Sequence, residues 1–418
     1  MVSNTHTPQY DEFSSVAELI EAYKRGEVLI LVDDEDRENE GDFIVASEHA
    51  TPEAINFMAK EGRGLICVSI TEKRAAALDL SPMSQENTAL LGTPFTMSVD
   101  AIENTTTGIS AFDRAITISK MIAADTSPTE LARPGHVFPL VADSNGVLAR
   151  PGHTEAVVDL AKLSNLNPSG VLCEILSEDG TMARLPELHR IAQKHGLKIG
   201  HIKDIISYRQ SNEKLIELES RVDLPTKHGN FELLLFRSLV DPDETHLALL
   251  KDGWKESDSV LTRIHSECLT GDVFGSGRCD CGQQLETAMK AIHDNGSGII
   301  LYMHQEGRGI GLAEKLKAYA LQEQGIDTVD ANLKLGFAAD AREYWFAVQI
   351  LRHLGVRSVD LITNNPEKIN QLEKQHIHVA SRVPSLVEAG MNNVEYLRTK
   401  QSRMGHLLNG LATKTRSS

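Results

Sequence analysis

The sequence predicts two globular domains of the α/β and α+β classes, each a mixed sheet with flanking helices. Three observations predict this. The chain has 418 residues, more than one domain of about 100–200 residues accounts for. Strand-length apolar runs alternate with helical patterns in both halves. Each half carries its own dense set of polar motifs, acidic in the first and cysteine-rich in the second. The expected domains are 1–206 and 207–418, with the charged stretch Ser207–Arg221 read as the connection between them.

In the first half, Val16–Arg25 has a helical pattern and Val28–Val32 reads as a strand that runs into the acidic segment 33–42. Leu65–Ile70 is a short buried strand. Thr154–Leu163 is a helix opening after Gly152, and Val171–Leu176 is again strand-like. The second half restarts with Asn230–Ser238 and Thr245–Lys251, which flank a Pro-Asp turn region and predict a hairpin. Gly298–Met303 follows as a strand, then Ala313–Glu323 and Ala338–His353 as helices and Val359–Thr363 as a strand. Asn364-Asn365-Pro366 starts a helix, with Asn caps and Pro at the first helical position. The first dozen residues and Thr413–Ser418 read as disordered.

Composition removes several function classes. A net charge of −17 argues against coating a nucleic acid, whose phosphates want a basic surface. Aromatic content of 5% is too low for base stacking along a strand. The absence of a signal peptide or long apolar run argues against a membrane and places the chain in a reducing cytoplasm. No Gly-Lys-Ser/Thr follows a glycine-rich stretch, which argues against a P-loop ATPase. Small phosphorylated substrates stay compatible with all of this, because they need only a few local arginines or a metal.

Seven of the ten residues 33–42 are acidic, and the run lies at the end of a buried strand, where α/β sheets place their sites. Clustered carboxylates repel, and a divalent cation relieves the repulsion; oxygen-rich ligation suits magnesium or manganese. Arg37 and Glu38 sit inside the run, which ends at Gly41-Asp42. Arg150-Pro151-Gly152-His153-Thr154 is a second constellation: Arg150 suits a phosphate, the amides opening the next helix suit the same anion, and His153 suits a metal. A second Pro-Gly-His turn occurs at Arg133-Pro134-Gly135-His136. Cys67 is read either as lining this site or as a buried strand thiol.

These motifs, with Asp36–Asp42, Thr107-Gly108-Ile109-Ser110-Ala111, Val137-Phe138-Pro139 and Glu155-Ala156, resemble 3,4-dihydroxy-2-butanone 4-phosphate synthase over most of residues 10–205. The resemblance implies conversion of D-ribulose 5-phosphate to L-3,4-dihydroxy-2-butanone 4-phosphate and formate. It implies Mg2+ (or Mn2+) on Glu38 and His153. It implies a sugar-phosphate site of Arg37, Glu38, Asp42, Arg150, Pro151, Gly152, His153, Thr154 and Glu174, with His136 and Glu174 as the essential positions. Phe112 and Ile116 depart from the family pattern, which has a smaller residue and Thr there.

In the second half, Cys268, Cys279 and Cys281 fall within fourteen positions. Three thiolates can hold a zinc and leave a position open for water; a closed structural site would need a fourth ligand, for which His265 is a candidate. A Cys279–Cys281 disulfide would close a small, strained ring. The cluster, with Gln305-Glu306-Gly307-Arg308-Gly309-Ile310-Gly311-Leu312, Asp340-Ala341-Arg342 and Thr363-Asn364-Asn365-Pro366-Glu367-Lys368, resembles GTP cyclohydrolase II over roughly Leu224–Leu386. The resemblance implies opening of the GTP imidazole ring with release of formate and pyrophosphate, on catalytic Zn2+, with Mg2+ accompanying GTP. It implies GTP binding by Arg263, Ile264, His265, Ser266, Glu267, Gln284, Glu306, Gly307, Arg308, Thr328, Thr363 and Lys368. Asp340 would be the proton acceptor and Arg342 the nucleophile at the α-phosphate. A guanidinium stays protonated, so stabilising phosphate charge is the physically sounder role for Arg342. Tyr319 either orients a proton near the ring or packs. His304, Trp345 and Phe346 depart from the family pattern, the last two by bulk.

The expected function is therefore a bifunctional riboflavin-biosynthesis enzyme acting on ribulose 5-phosphate and GTP. The competing readings are one active half beside a scaffold, and a zinc-containing module that binds GTP without turnover. The first-half family is dimeric with shared sites, and symmetric dimers are the commonest assembly, so a homodimer is expected.

Overall fold

The computed structural model describes residues 13–385 and 393–408. The two termini expected to be disordered, the first dozen residues and Thr413–Ser418, lie outside the described residues. The chain divides into two compact units between Asn212 and Glu213. Among the described residues no helix is long and apolar enough to cross a membrane.

The strands of the first unit are β1 (Leu29–Val32), β2 (Gly41–Ala46), β3 (Cys67–Thr71), β4 (Val99–Ala101), β5 (Leu131–Ala142), β6 (Ser169–Glu174) and β7 (Ile199–His201). They form one mixed sheet in the order β4-β5-β3-β6-β2-β1-β7. Its central strands are apolar on both faces, as strands covered on both sides must be. One face carries Ile30, Phe43, Val45, Val68, Val171 and Cys173. The other carries Leu31, Ile44, Cys67 and Leu172, packed with Leu19 of the helix Val16–Lys24, Val157 of the helix His153–Leu163 and Ile205 of the helix Ile202–Asn212.

That second face positions the first site. Leu31 pairs with Asp42, Asp42 with Glu174, and Cys67 with both Leu172 and Phe138. Side chains alternate along a strand. Asp33 lies two residues past Leu31, Asp42 two before Ile44, Glu174 two past Leu172, Leu65 two before Cys67 and His136 two before Phe138. All therefore share the face of the apolar core, and the four polar ones, Asp33, Asp42, Glu174 and His136, form a row at its end.

The strands of the second unit are β8 (Ile216–Thr226), β9 (Gly229–Ser238), β10 (Thr245–Lys251), β11 (Ser259–Ser266), β12 (Gly298–Met303), β13 (Ser358–Ile362) and β14 (His378–Val383). Their order is β14-β13-β11-β12-β10-β9-β8. The first four in that order are mutually parallel and the rest antiparallel, including the expected hairpin β9–β10.

Two expectations are corrected. Ser207–Arg221 contains the junction of the two units, as expected, but it is not a separate linker: it is the end of the helix Ile202–Asn212 and the start of β8. Its charges suit an edge strand with most of its side chains in water. The helix expected over Ala338–His353 spans only Trp345–His353. In the preceding segment the Ala341 amide donates to the Arg308 carbonyl (3.0 Å) and the Arg342 amide to the Asp340 carboxylate (3.2 Å), so neither amide serves a helix.

Candidate active sites

In the first unit, Asp33 organises the acidic loop. It is buried, and its two oxygens accept from the Glu38 amide (3.0 Å), the Glu40 amide (2.8 Å) and Arg37 (2.8 Å). This leaves Glu38 facing His153, with Oε2 3.8 Å from Nδ1. His153 Nε2 lies 3.1 Å from the Leu31 carbonyl; a carbonyl only accepts, so Nε2 carries the proton and Nδ1 is the atom turned to Glu38. Ligand atoms of Asp33, Glu38 and His153 all lie within 4.8 Å of one another, a donor set of oxygens and one imidazole that fits a hard divalent cation.

Electrostatics agree. Burial alone would push the His153 imidazole down, but Asp42, Glu38 and Asp33 outweigh it and hold its pKa at about 9. Burial pushes Asp42 up to about 7, opposed by His153 and reinforced by Glu174 and Glu38. Too many negative groups thus share too few positive ones, the imbalance a cation relieves.

The elements expected to bind phosphate meet at the start of the helix His153–Leu163. A Cβ on Gly152 would stand 2.9 Å from Arg150 Nη1 and 3.0 Å from Arg37 Nη2, so both guanidinium groups converge on the glycine that opens the helix. Arg150 is braced by Glu155 (2.7 Å). Thr154 is buried, and its carbonyl accepts from Ser69 Oγ (2.6 Å). Pro151 precedes this turn and is exposed. Glu174 Oε2 accepts from the Leu65 amide (2.8 Å). Cys67 is buried, and its burial with the Glu174 and Asp42 carboxylates pushes the thiol well up, so it packs as a core thiol.

At the far end of the row His136 is paired with Asp100, Nδ1 to Oδ2 at 2.7 Å, while its amide donates to the other carboxylate oxygen (2.9 Å). Phe112 and Ile109 are exposed beside this region, on the loop and helix start that follow Gly108. Ile116 lies on the same helix, Ala111–Ile122, half-buried.

The second site lies at the C-terminal ends of the parallel strands β11, β12 and β13, where such sheets open a crevice. Its pocket is lined by Arg263, His265, Ser266, Glu267, the three cysteines, Gln284, Glu306, Gly307, Arg308, Arg342, Thr363 and Lys368, and by Tyr319. The sequence assignments thus converge, with three exceptions. Ile264 contributes its carbonyl, which accepts from buried Lys368 Nζ (2.6 Å). Asp340 acts through Arg342, to which it is paired (Nε to Oδ1 2.8 Å). Thr328 opens the helix Thr328–Lys334, and its side chain lies outside the described residues.

Cys268, Cys279 and Cys281 bring their sulfurs within 4.8 Å of one another. Contacts from the Cys279 and Cys281 thiols and from Lys315 Nζ (3.1 Å) hold Cys268 well below the ordinary thiol range. Cys268 in turn pushes Cys279 up to about 11 and Cys281 upward as well. One thiolate is thus stabilised at the expense of two, a set that only a soft divalent cation allows to ionise together. His265 is not part of the cluster: Nε2 faces Asp272 (3.1 Å), which also accepts from the Cys268 amide (3.0 Å) and Tyr302 (3.0 Å). The thiolates therefore remain three, the set of an open site.

Buried polar atoms without hydrogen-bond partners cluster in this pocket: Arg263 Nε, His265 Nδ1, Ser266 Oγ, Arg308 Nη2 and Asn332 Nδ2. Such groups are rare in folded proteins unless a ligand satisfies them. Tyr319 Oη lies 3.5 Å from Thr270 Oγ1 at the pocket wall. Trp345 and Phe346 are buried core residues; the Phe346 ring packs edge-on against His246 at 4.1 Å, and the His304 amide donates to His246 Nδ1 (3.0 Å). Their bulk fills the interior behind the pocket and does not crowd it.

Sequence reading missed Asp33 as an individual residue, and Asp100, Lys315 and Asn332 altogether. None of them belongs to a motif whose spacing carries chemistry; each acts through a contact made by folding.

An oxygen-and-imidazole site in one domain and a trithiolate, cation-lined pocket in the other define a two-domain enzyme with two separate chemistries. Comparison with known proteins agrees. Residues 17–208 match the family 3,4-dihydroxy-2-butanone 4-phosphate synthase, and residues 217–384 match GTP cyclohydrolase II. Riboflavin biosynthesis protein RibBA of Cytophaga hutchinsonii is 55% identical over 398 residues, covering 95% of this chain and 98% of that protein. RibBA of Bacillus subtilis is 53% identical over 396 residues, covering 95% and 99%. The crystal structure of RibBX, a two domain 3,4-dihydroxy-2-butanone 4-phosphate synthase from A. baumannii, is 37% identical with a TM-score of 0.64, covering 84% of this chain and 94% of that one. The chain belongs to the RibBA family of bifunctional riboflavin-biosynthesis enzymes.

Proposed function

We propose that the first unit converts D-ribulose 5-phosphate to L-3,4-dihydroxy-2-butanone 4-phosphate and formate, and that the second hydrolyses GTP to a diaminopyrimidinone ribosyl phosphate, formate and pyrophosphate. The observation that carries this reading is that each family-matched region holds a complete cluster of the ligand type its chemistry needs.

In the first reaction, Arg37, Arg150 and the amides after Gly152 hold the phosphate. Glu38 and His153 hold Mg2+ or Mn2+, which when bound polarises the substrate carbonyl and stabilises enediolate charge. Asp42, with a pKa of about 7, and Glu174 move protons at the carbons beside that carbonyl. His136, oriented by Asp100, serves the other end of the row.

In the second reaction, the three thiolates hold Zn2+, which when bound lowers the pKa of water for attack on guanine C8. Arg308, Arg342 and Lys368 supply cations for the triphosphate, with any accompanying Mg2+ on the substrate. Arg263, His265, Ser266, Glu267 and Gln284 line the pocket beside the cysteines. Burial would raise Asp340, but Arg342 outweighs it and holds Asp340 below the carboxylate range, so Asp340 first anchors Arg342 and accepts a proton only when substrate draws the guanidinium away.

Exposed Ile102, Ile109 and Phe112 near His136 support a homodimer through the first unit. Five cysteines without a disulfide support a reducing, cytoplasmic setting. The net charge of −17 supports small-molecule substrates over nucleic acid. The test is a product assay with each substrate separately, with Mg2+ and Zn2+ controlled. Formate from both substrates, and pyrophosphate from GTP alone, is the expected result; GTP bound without formate release would replace the second activity with a binding role.

A further inference from the structure

The GTP pocket has a wall that lies beyond the family-matched residues 217–384. Lys400 and His406 line it, and both come from the helix Val394–Met404 and the turn that follows. This segment is tied down at three points. Arg403 bridges to Asp330 (3.0 Å) and to Asp327. The Leu407 amide donates to the Asn364 carbonyl (2.9 Å), beside Thr363. Lys400 Nζ meets Asp280 Oδ1 at 2.8 Å, both residues being buried.

Asp280 stands between Cys279 and Cys281 in the sequence. Its other oxygen accepts from Gln284 Nε2, and Gln284 Oε1 accepts from Arg263. Lys400 therefore ends a chain of charged and polar contacts that runs under the cysteine loop to two residues of the pocket. Removing Lys400 would leave a buried carboxylate short of its cation, at the centre of that chain.

His406 differs, because its Nε2 is buried and has no hydrogen-bond partner. The charged groups that bear on it are Lys400, Arg342, Lys368 and Asp280. Its burial and the cations push the imidazole down to about 3, so it is neutral and able to donate one N–H. A neutral donor beside Arg342 and Lys368 suits an anionic oxygen.

We propose that this C-terminal segment completes the GTP site: Lys400 is a positioning residue for the Cys279–Cys281 loop and the Gln284–Arg263 pair, and His406 binds the phosphate end of the nucleotide. The proposal rests on the GTP reading of this pocket. It predicts that substrate affinity is set partly by residues outside the matched domain.

The experiment uses the full chain loaded with zinc. Turnover of GTP by the wild type is measured first; if it fails, the functional reading falls, independently of any variant. His406→Ala should raise KM for GTP about tenfold, the worth of one hydrogen bond to a charged group, with kcat, zinc content and ribulose 5-phosphate turnover unchanged. His406→Asn, which keeps a donor, should recover part of that loss and serves if the alanine variant folds poorly. Lys400→Met should lower kcat for GTP, with Lys400→Arg recovering most of it. An active wild type whose His406→Ala variant keeps KM would overturn the substrate role. A rise in KM accompanied by loss of zinc would overturn it too, assigning the segment to the metal loop alone.

Discussion

Cys279 is the residue at which structural and catalytic zinc are separated most cleanly. Its sulfur lies 3.6 Å from that of Cys268, and its thiol is pushed up to about 11 by that neighbour. A serine hydroxyl at this position is a far poorer ligand than a thiolate. Cys279→Ser should therefore lose bound zinc and formate release from GTP, while ribulose 5-phosphate turnover persists; zinc content beside the two formate assays checks this, and full GTP turnover without zinc would show the cluster to be uninvolved. The reciprocal pair is Glu38→Ala and His153→Ala. Each removes one of two facing groups, and each should cut formate release from ribulose 5-phosphate about 100-fold or more while sparing GTP. Unchanged sugar turnover in both variants would remove the proposed cation site. These residues were legible because the motifs that carry them are short and their chemistry is explicit in residue type. Asp33, Asp100 and Lys315 were not. Asp100 reaches His136 only through the pairing of β4 with β5, and Lys315 reaches Cys268 from a helix 47 positions away. No local spacing encodes such a meeting.

At the scale of elements, the loop before the helix Ala111–Ile122 shows how a glycine shapes a site. Asp113 accepts from Thr106 Oγ1 (2.8 Å), the Thr106 amide (3.0 Å) and the Gly108 amide (3.1 Å), which folds the loop back over the sheet. Gly108 has φ +91°, and a Cβ there would stand 2.1 Å from Asp100 Oδ2 and 2.6 Å from His136 Nδ1. Gly108→Ala should both strain the backbone and drive the His136–Asp100 pair apart. The expected outcome is a fall of about tenfold or more in ribulose 5-phosphate turnover, with GTP turnover intact; kinetics on both substrates check it, and wild-type sugar kinetics would show that this pair does not need its present geometry. Elements whose apolar pattern matches their period were read well, such as β1, the helix His153–Leu163 and the hairpin β9–β10. The helix over 338–353 was read too long because Ala, Arg and Glu suit a helix in isolation. There the contact of Ala341 with the Arg308 carbonyl, made by a turn some thirty residues earlier, overrides propensity.

At the scale of the whole molecule, the fold class followed from alternation and length, but the place where one unit ends depends on contacts that charge patterning does not reveal. The charged stretch suggested a boundary at 206/207, inside what is the helix Ile202–Asn212. Arg209 on that helix donates to buried Asp159 (2.7 Å) and to the Asn145 carbonyl (2.7 Å), so the helix end belongs to the first unit. On the other side, Gln349 Nε2 donates to the Glu213 carbonyl (2.8 Å) and its Oε1 accepts from the Leu215 amide (2.9 Å), so Glu213 belongs to the second. A cut between Asn212 and Glu213 separates these two sets of contacts without breaking either. Fragments 1–212 and 213–418 should each keep their own reaction, the first on ribulose 5-phosphate and the second on GTP. A fragment ending at 206 loses Arg209 and leaves the buried Asp159 carboxylate with only the more distant Lys162 (3.7 Å) as a cation, a loss that costs at most about 3–5 kcal/mol, the figure for removing one partner of a buried pair. Thermal unfolding of fragments 1–206 and 1–212 measures that difference directly. The longer fragment should melt several degrees higher at equal activity per folded molecule; equal melting temperatures would show that Arg209 contributes nothing to the first unit, and inactivity of both 212/213 fragments would show that the two reactions need the intact chain.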